Sequence, residues 1–343
     1  MKIYFCFTYY HTLIAMIKTM QDGQKADIIL ANDIPGYVDL KRQLEKTDCF
    51  RRFYEYDAVQ FTKEHVFKNK IERALKSRKI VRKTIPQLVD LDLDNLTFYS
   101  DIYIFNDMTG IAKYLILKNI QYHLIEDGLD YYSYFDKYYD IKESSFAING
   151  FRKKVKELFG MGFTCWGQSE CCVDIEVNKI EGIKIPKDKV FEVPRRELFD
   201  SLQETQKKLI YATYAKGENL QMSSAKSMIL FTQPLFADQF VQSMDEQEKV
   251  FETIVEEYVD NGYGVTIKPH PRDLMDYSKL IARYHCAYIA KNIPSEVLNF
   301  DKDVSFDVAV SVTSTAINFL KRVKEKRFMG RDYIGIVLSK KKS

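Results

Sequence analysis

No run of about 18 apolar residues occurs in the chain, so no segment reads as a membrane-spanning helix. The opening stretch, Met1 to His11, is apolar but short, is interrupted by polar residues and lacks a small-residue cleavage site. It reads as a first strand, not as a signal peptide. There is no G-x-G-x-x-G and no P-loop, so the common dinucleotide and nucleoside-triphosphate signatures are missing. Zinc-type cysteine spacing is missing too. Cys6, Cys49, Cys165, Cys171, Cys172 and Cys286 are scattered, and the adjacent Cys171-Cys172 pair has no histidine close in sequence. Free thiols in a reducing cytoplasm are expected. Charge of one sign is also lacking: 51 Lys+Arg against 48 Asp+Glu leaves a net +3, which gives no global drive toward nucleic acid. Histidine is scarce, at five residues, and there is one tryptophan.

What is present is ordinary globular material. The chain has 343 residues, 46% hydrophobic and 29% charged, with 23 Tyr and 23 Phe that fit large cores and a sugar-handling cleft. Strand-like runs alternate with helical stretches: 2–8, a helix over 12–20, 27–31, a strand within 96–105, and 121–125. The pattern then repeats with 227–232, a helix over 246–258, 264–268, 287–290 and 307–312. Such alternation implies βαβ units and parallel sheets. The expected fold is α/β, with two Rossmann-like doubly wound domains facing each other across a cleft. The joint falls in the charged stretch 183–224, which carries Pro186 and Pro194, and the boundary is set near residue 195.

Several residues sit where an open α/β sheet binds ligands, beyond the carboxyl ends of its strands. Val265-Thr266-Ile267-Lys268-Pro269-His270-Pro271-Arg272 runs a β-branched strand into a turn held by two prolines. That turn fixes His270 between Lys268 and Arg272, a set suited to an anion such as a phosphate. Asp307 to Val312 is a buried strand followed by Thr313, Ser314 and Thr315, with a helix expected over 316–323. Hydroxyls and unpaired amides at a helix start bind anions, although the same residues also serve as plain caps. Glu296, after Pro294 and Ser295, suits two ribose hydroxyls or a first-turn helix acid. Tyr122 to Gly128 is a strand ending in Glu126-Asp127-Gly128. Two adjacent acids repel, which tends to raise the pKa of one and suits it to accept a proton from a sugar hydroxyl. A solvated Asp-Gly turn is the alternative. In Asp90-Leu91-Asp92-Leu93-Asp94 the interleaved leucines read as a solvated edge, not a metal site.

Local charge is less even than the total. Between Lys63 and Lys83 nine basic residues face only Glu64 and Glu72, with Val66, Phe67, Ile71, Ala74 and Leu75 interleaved. Arg152-Lys153-Lys154-Val155-Lys156 and Lys340-Lys341-Lys342 are further basic stretches. The first suits a helix resting on an anionic membrane face, or an ordinary solvated helix face.

Taken as a set, these motifs resemble the bacterial lipooligosaccharide and capsule sialyltransferases of glycosyltransferase family 52, GT-B type. The resemblance is carried by Phe7-Thr8-Tyr9-Tyr10-His11, Glu126-Asp127-Gly128, Thr232-Gln233-Pro234-Leu235, Lys268-Pro269-His270-Pro271, Pro294-Ser295-Glu296 and Ser311/Ser314/Thr315. It implies an acceptor-side domain over 1–195 and a CMP-binding domain over 196–343, whose last helix crosses back. It further implies a CMP-sialic acid donor, an inverting displacement and no metal or resident cofactor. On that template Asp127 is the general base on the acceptor hydroxyl, with Asp238 as the alternative. His270 stabilises or protonates the departing CMP phosphate. Ser314 and Thr315 bind that phosphate with Ser311 nearby, Glu296 holds the ribose, and Gln233, Lys268 and Pro271 line the nucleotide pocket. The implied partner is a glycan acceptor of lipooligosaccharide or capsule type; separately, the basic cluster Lys63–Lys83 suggests an anionic membrane at the cytoplasmic inner face of the cell membrane, and the charge balance suggests no nucleic acid. A homodimer is one assembly the reading allows. Other GT-B transferases, of glucosyl or CDP-glycerol type, and a non-catalytic glycan-binding scaffold are the competing readings.

Overall fold

The computed structural model describes residues 1–64, 69–128, 163–183, 187–215 and 226–339. The expected basic stretches at 152–156 and 340–342, and Lys68, lie outside these residues. The chain divides into two units, Met1–Gln203 and Glu204–Ser343.

Unit 1 is built on a parallel seven-stranded sheet. Its elements in chain order are β1 (Lys2–Cys6), α1 (Tyr9–Asp22), β2 (Ala26–Ala31), α2 (Tyr37–Glu45), β3 (Phe50–Tyr56), α3 (Ala58–Glu64), α4 (Lys70–Leu88), β4 (Asp101–Ile104), α5 (Gly110–Lys118), β5 (Tyr122–Ile125), β6 (Cys172–Val177), β7 (Val190–Glu192) and α6 (Arg195–Asp200). The strand order is β3-β2-β1-β4-β5-β6-β7. β1 is central and almost wholly buried, which is why Ile3-Tyr4-Phe5-Cys6 is a continuous apolar run. Phe5 pairs with Ile29 on one side and Ile104 on the other. The order reverses between β1 and β4, and the crevice at such a reversal is where doubly wound sheets hold ligands. Thr8 starts α1 there, its hydroxyl accepting from the His11 amide, and Gly23 ends the helix with φ 67°, a left-handed value that glycine adopts without strain.

Unit 2 holds α7 (Glu204–Tyr214), β8 (Lys226–Phe231), α8 (Met244–Asp260), β9 (Tyr263–Lys268), α9 (Ser278–Tyr284), β10 (Ala287–Tyr288), β11 (Phe306–Ser311), β12 (Val323–Phe328) and α10 (Gly330–Ser339). Its five parallel strands run β10-β9-β8-β11-β12. Phe231 pairs with Lys268 and with Ser311, so the carboxyl ends of β9, β8 and β11 lie side by side. Met228, Leu230, Val265, Ile267, Val308 and Val310 form the sheet's share of the core, with Val250, Phe251, Ile254 and Val255 from α8 and Ile334 and Val337 from α10. Ser243 caps α8 through the Glu246 amide. The helix expected over 316–323 is replaced by a 3-10 turn, Thr315–Phe319, and then by β12. β12 is an exposed edge strand with four consecutive charged residues, Lys324 to Arg327, so it carries none of the apolar alternation by which strands are recognised.

Candidate functional site

In unit 1, Asp127 follows β5 at the carboxyl edge of the sheet and is partly exposed. Its Oδ1 lies 2.5 Å from His11 Nε2, and its Oδ2 accepts from Asn106 Nδ2 at 2.9 Å. His11 is 1% exposed and stacks on Phe105 at 4.3 Å between ring centroids. Its Nδ1 accepts the Phe7 amide at 3.1 Å. The ring proton therefore sits on Nε2, which donates to Asp127. Glu126, the neighbouring acid, is buried and takes other partners: its Oε2 accepts the Asn178 amide at 2.6 Å. One acid of the pair thus anchors a loop inside while the other stands at the edge.

In unit 2 the Lys268-Pro269-His270-Pro271 turn leaves β9. His270 Nδ1 accepts the Arg272 amide at 3.1 Å, and His270 O accepts the Asp273 amide at 2.9 Å. Burial, then the charges of Arg272 and Lys268, hold the His270 ring down at about 4. At neutral pH it is an uncharged ring whose proton is on Nε2, a donor and not a cation. The two basic neighbours are engaged elsewhere. Lys268 is 2% exposed and its Nζ donates to Pro269 O at 2.9 Å and Lys291 O at 3.2 Å, which pins the turn from inside. Arg272 reaches both oxygens of Asp238, at 3.1 and 3.4 Å. Pro271 is exposed on the turn.

Gln233 is buried after β8 and joins the ends of two strands. Its Nε2 donates to Phe231 O at 2.7 Å and Ser311 Oγ at 2.9 Å, and its Oε1 accepts the Thr313 amide at 3.2 Å. Ser311 Oγ also accepts the Ser314 amide at 2.7 Å. Gln233 and Ser311 thus hold the 312–316 loop in shape, while Ser314 remains partly exposed and caps the 3-10 turn through the Ala316 amide at 3.3 Å. Thr315 opens that turn. Glu296 is buried in a second 3-10 turn, Ser295–Asn299. Burial pushes its carboxyl up, against the pull of its own amide and of Lys268.

Sequence reasoning missed the hub beneath these loops. Asp273, 2% exposed, accepts from Gln247 Nε2 (2.9 Å) and the Met275 amide (3.0 Å) on one oxygen, and from Thr232 Oγ1 (3.1 Å) and Tyr277 OH (2.6 Å) on the other. Gln247 Oε1 in turn accepts the Phe236 amide at 2.9 Å. The network ties the loop after β8 to the loop after β9. His11 and Asn106 were missed likewise, because nothing in local spacing links them to Asp127. Asp92, in the acidic stretch, caps a 3-10 turn, and Asp90 accepts the Glu55 amide. Among the described residues no group of three or more His, Cys, Asp or Glu could hold a metal ion.

Comparison with known proteins places this geometry in a context. The model of glycosyltransferase family 52 matches residues 58–329. An uncharacterized protein of Haemophilus influenzae is 28% identical over 204 residues, 59% of this chain, and the chain spans 60% of that curated relative's length. An α/β-galactoside α-2,3-sialyltransferase of Photobacterium phosphoreum superposes with a TM-score of 0.51 at 13% identity, covering 95% of this chain and 89% of that one. The GT-B domain of the Photobacterium damselae sialyltransferase gives 0.52 at 13% identity, over 96% and 90%. At this identity the solved structures establish the GT-B fold.

Proposed function

Because the chain belongs to glycosyltransferase family 52, we propose that it moves sialic acid from CMP-sialic acid to a galactose-type hydroxyl of a cell-surface glycan, lipooligosaccharide or capsule, with inversion. The observation that carries this reading is the His270 ring. It is uncharged, its proton is on Nε2, and it is fixed at the carboxyl edge of the unit 2 sheet. A sialyl donor passes through an oxocarbenium-like state, so negative charge grows on the departing phosphate. A preorganised donor at that oxygen stabilises the transition state more than the ground state. The acceptor oxygen bonds to the anomeric carbon, the bond from that carbon to the phosphate oxygen breaks, and CMP departs as the phosphate anion. The acceptor's proton passes to a carboxylate. In this reading His270 donates to the leaving phosphate, Ser314 and Thr315 bind it, Glu296 accepts from the ribose hydroxyls, and Gln233, Lys268, Pro271 and Ser311 shape the nucleotide pocket. CMP carries one phosphate, so the reading involves no metal clamp.

Asp127 is the proposed base. Its two partners, the His11 ring and the Asn106 amide, are neutral and orient it without taking up its charge. Asp238, the alternative, has both oxygens engaged by the Arg272 guanidinium. Supporting a peripheral site at the cytoplasmic membrane face, α4 buries Val81, Ile85 and Leu88 and turns Lys76, Lys79, Arg82 and Lys83 outward. No helix among the described residues is long and apolar enough to cross a membrane. The test is calorimetric titration with CMP, CDP and UDP, followed by transfer assays on Asp127→Asn and Asp238→Asn. CMP binding and loss of transfer in Asp127→Asn alone support the reading. CDP or UDP binding without CMP binding excludes it in favour of another GT-B transferase, and loss in Asp238→Asn alone moves the base to Asp238.

A further inference from the structure

We infer that His11 is the positioning residue of the proposed base, locked in one tautomer by the backbone. The inference rests on Asp127 being that base. His11 and its supports Phe7 and Thr8 lie before residue 58, outside the stretch that matches the family model.

Three restraints act on one imidazole. Thr8 caps α1 by accepting the His11 amide at 3.1 Å, which fixes the residue's backbone. Phe105 stacks on the ring with a 6° interplanar angle, and Phe7 meets it edge-on at 6.4 Å. The Phe7 amide donates to Nδ1 at 3.1 Å. An amide cannot accept a proton, so Nδ1 must present its lone pair and Nε2 must carry the hydrogen. At 1% exposure the ring is shut off from any substrate, so it acts only through Asp127.

The consequence is directional. Nε2–H holds Oδ1 and Asn106 holds Oδ2, which fixes the carboxylate plane while each oxygen can still accept a second hydrogen bond. His11 cannot relay the proton that Asp127 takes from the acceptor, because Nε2 is already protonated and Nδ1 is occupied. That proton leaves from Asp127, whose side chain is 23% exposed. Misplacing a base by about 1 Å lowers turnover by roughly a hundredfold without weakening acceptor binding. Loss of His11 should therefore fall on kcat and not on KM.

The experiment uses the full chain. Long-range nitrogen NMR on selectively labelled histidine, with His11→Gln to assign the His11 signals among the five histidines, reads the tautomer without any assay of activity. A neutral Nε2–H ring at pH 7 is expected, and a proton on Nδ1 overturns the inference. In transfer assays His11→Ala and Asn106→Ala are each expected to lower kcat by about ten- to a hundredfold with acceptor KM within about threefold. His11→Gln, which keeps a donor near the Nε2 position, is expected to recover most of the loss. Unchanged kcat in His11→Ala, with Asp127→Asn inactive, overturns this inference alone. Full activity in Asp127→Asn overturns the base assignment and the inference together.

Discussion

Asp273→Asn is the sharpest perturbation of unit 2, because it changes one atom type beneath the loops after β8 and β9. Four donors converge on two buried oxygens. Two of them, Gln247 Nε2 and the Met275 amide, can only donate, so the asparagine must turn its oxygen to that side. Its amide nitrogen then faces the hydroxyls of Thr232 and Tyr277, which can rotate to accept. Hydrogen bonds to a charged acceptor contribute about 1.5–3 kcal/mol each and neutral ones about 1 kcal/mol. Four weakened bonds, offset in part by removing a buried charge, give an expected net loss of about 2–3 kcal/mol. Tyr277→Phe removes one donor to the charged acceptor and leaves three, for about 1.5–3 kcal/mol. Urea unfolding of the full chain reads both values from the midpoint shift. CMP titration of the same variants should show weaker binding in Asp273→Asn, since the His270 turn loses its floor. An Asp273→Asn midpoint within about 0.5 kcal/mol of the wild type refutes the reasoning.

Other consequences follow from the same geometry. His270 is held below its unfolded value of 6.5, at about 4, so below pH 6.5 the unfolded chain takes up the proton first and stability falls until about pH 4. Between pH 7 and 4.5, His270→Gln should lose less stability than the wild type by about 1–2 kcal/mol, a figure reduced for the ring's partial exposure. An equal loss in the two proteins contradicts it. Glu296 has a carboxyl pushed up by burial, so its ionised form disfavours the native state as pH rises. Glu296→Gln should keep or raise the urea midpoint at pH 7 while weakening CMP binding by about tenfold or more, roughly 1.4 kcal/mol. α4 should bind anionic vesicles at about 0.05 M salt and release them at about 0.5 M, and glutamate in place of Lys79, Arg82 and Lys83 should abolish sedimentation.

The sheets were legible because their central strands are buried on both faces. Ile3 to Cys6, Met228 to Phe231 and Val308 to Ser311 are runs that only a covered parallel sheet explains. β3, β6, β7 and β12 were not legible: β7 and β12 are exposed edge strands that carry polar residues where the alternation should be, and β3 and β6 interleave charged residues with the apolar ones. At the carboxyl edges of the two sheets, strand ends pointed to Asp127 in unit 1 and to His270 and Ser314 in unit 2, because position after a strand is a local property. The supporting residues were hidden. His11 meets Asp127 across 116 residues of chain, and Asp273 meets Thr232 across 41. The two bases flanking His270 looked like free cations in sequence, whereas Lys268 is consumed by carbonyls and Arg272 by Asp238. Side-chain pairing across long loops is decided by packing, which local spacing does not encode.

The central claim is that a neutral His270 assists departure of CMP from a sialyl donor. Its most direct measurement is release of CMP from CMP-sialic acid, with a galactose-terminated acceptor, by the wild type and by His270→Ala. The account predicts sialylated product from the wild type and a turnover lower by at least about a hundredfold, roughly 2.7 kcal/mol of barrier, in the variant. Equal turnover in the two proteins, or no sialylated product from the wild type, contradicts it.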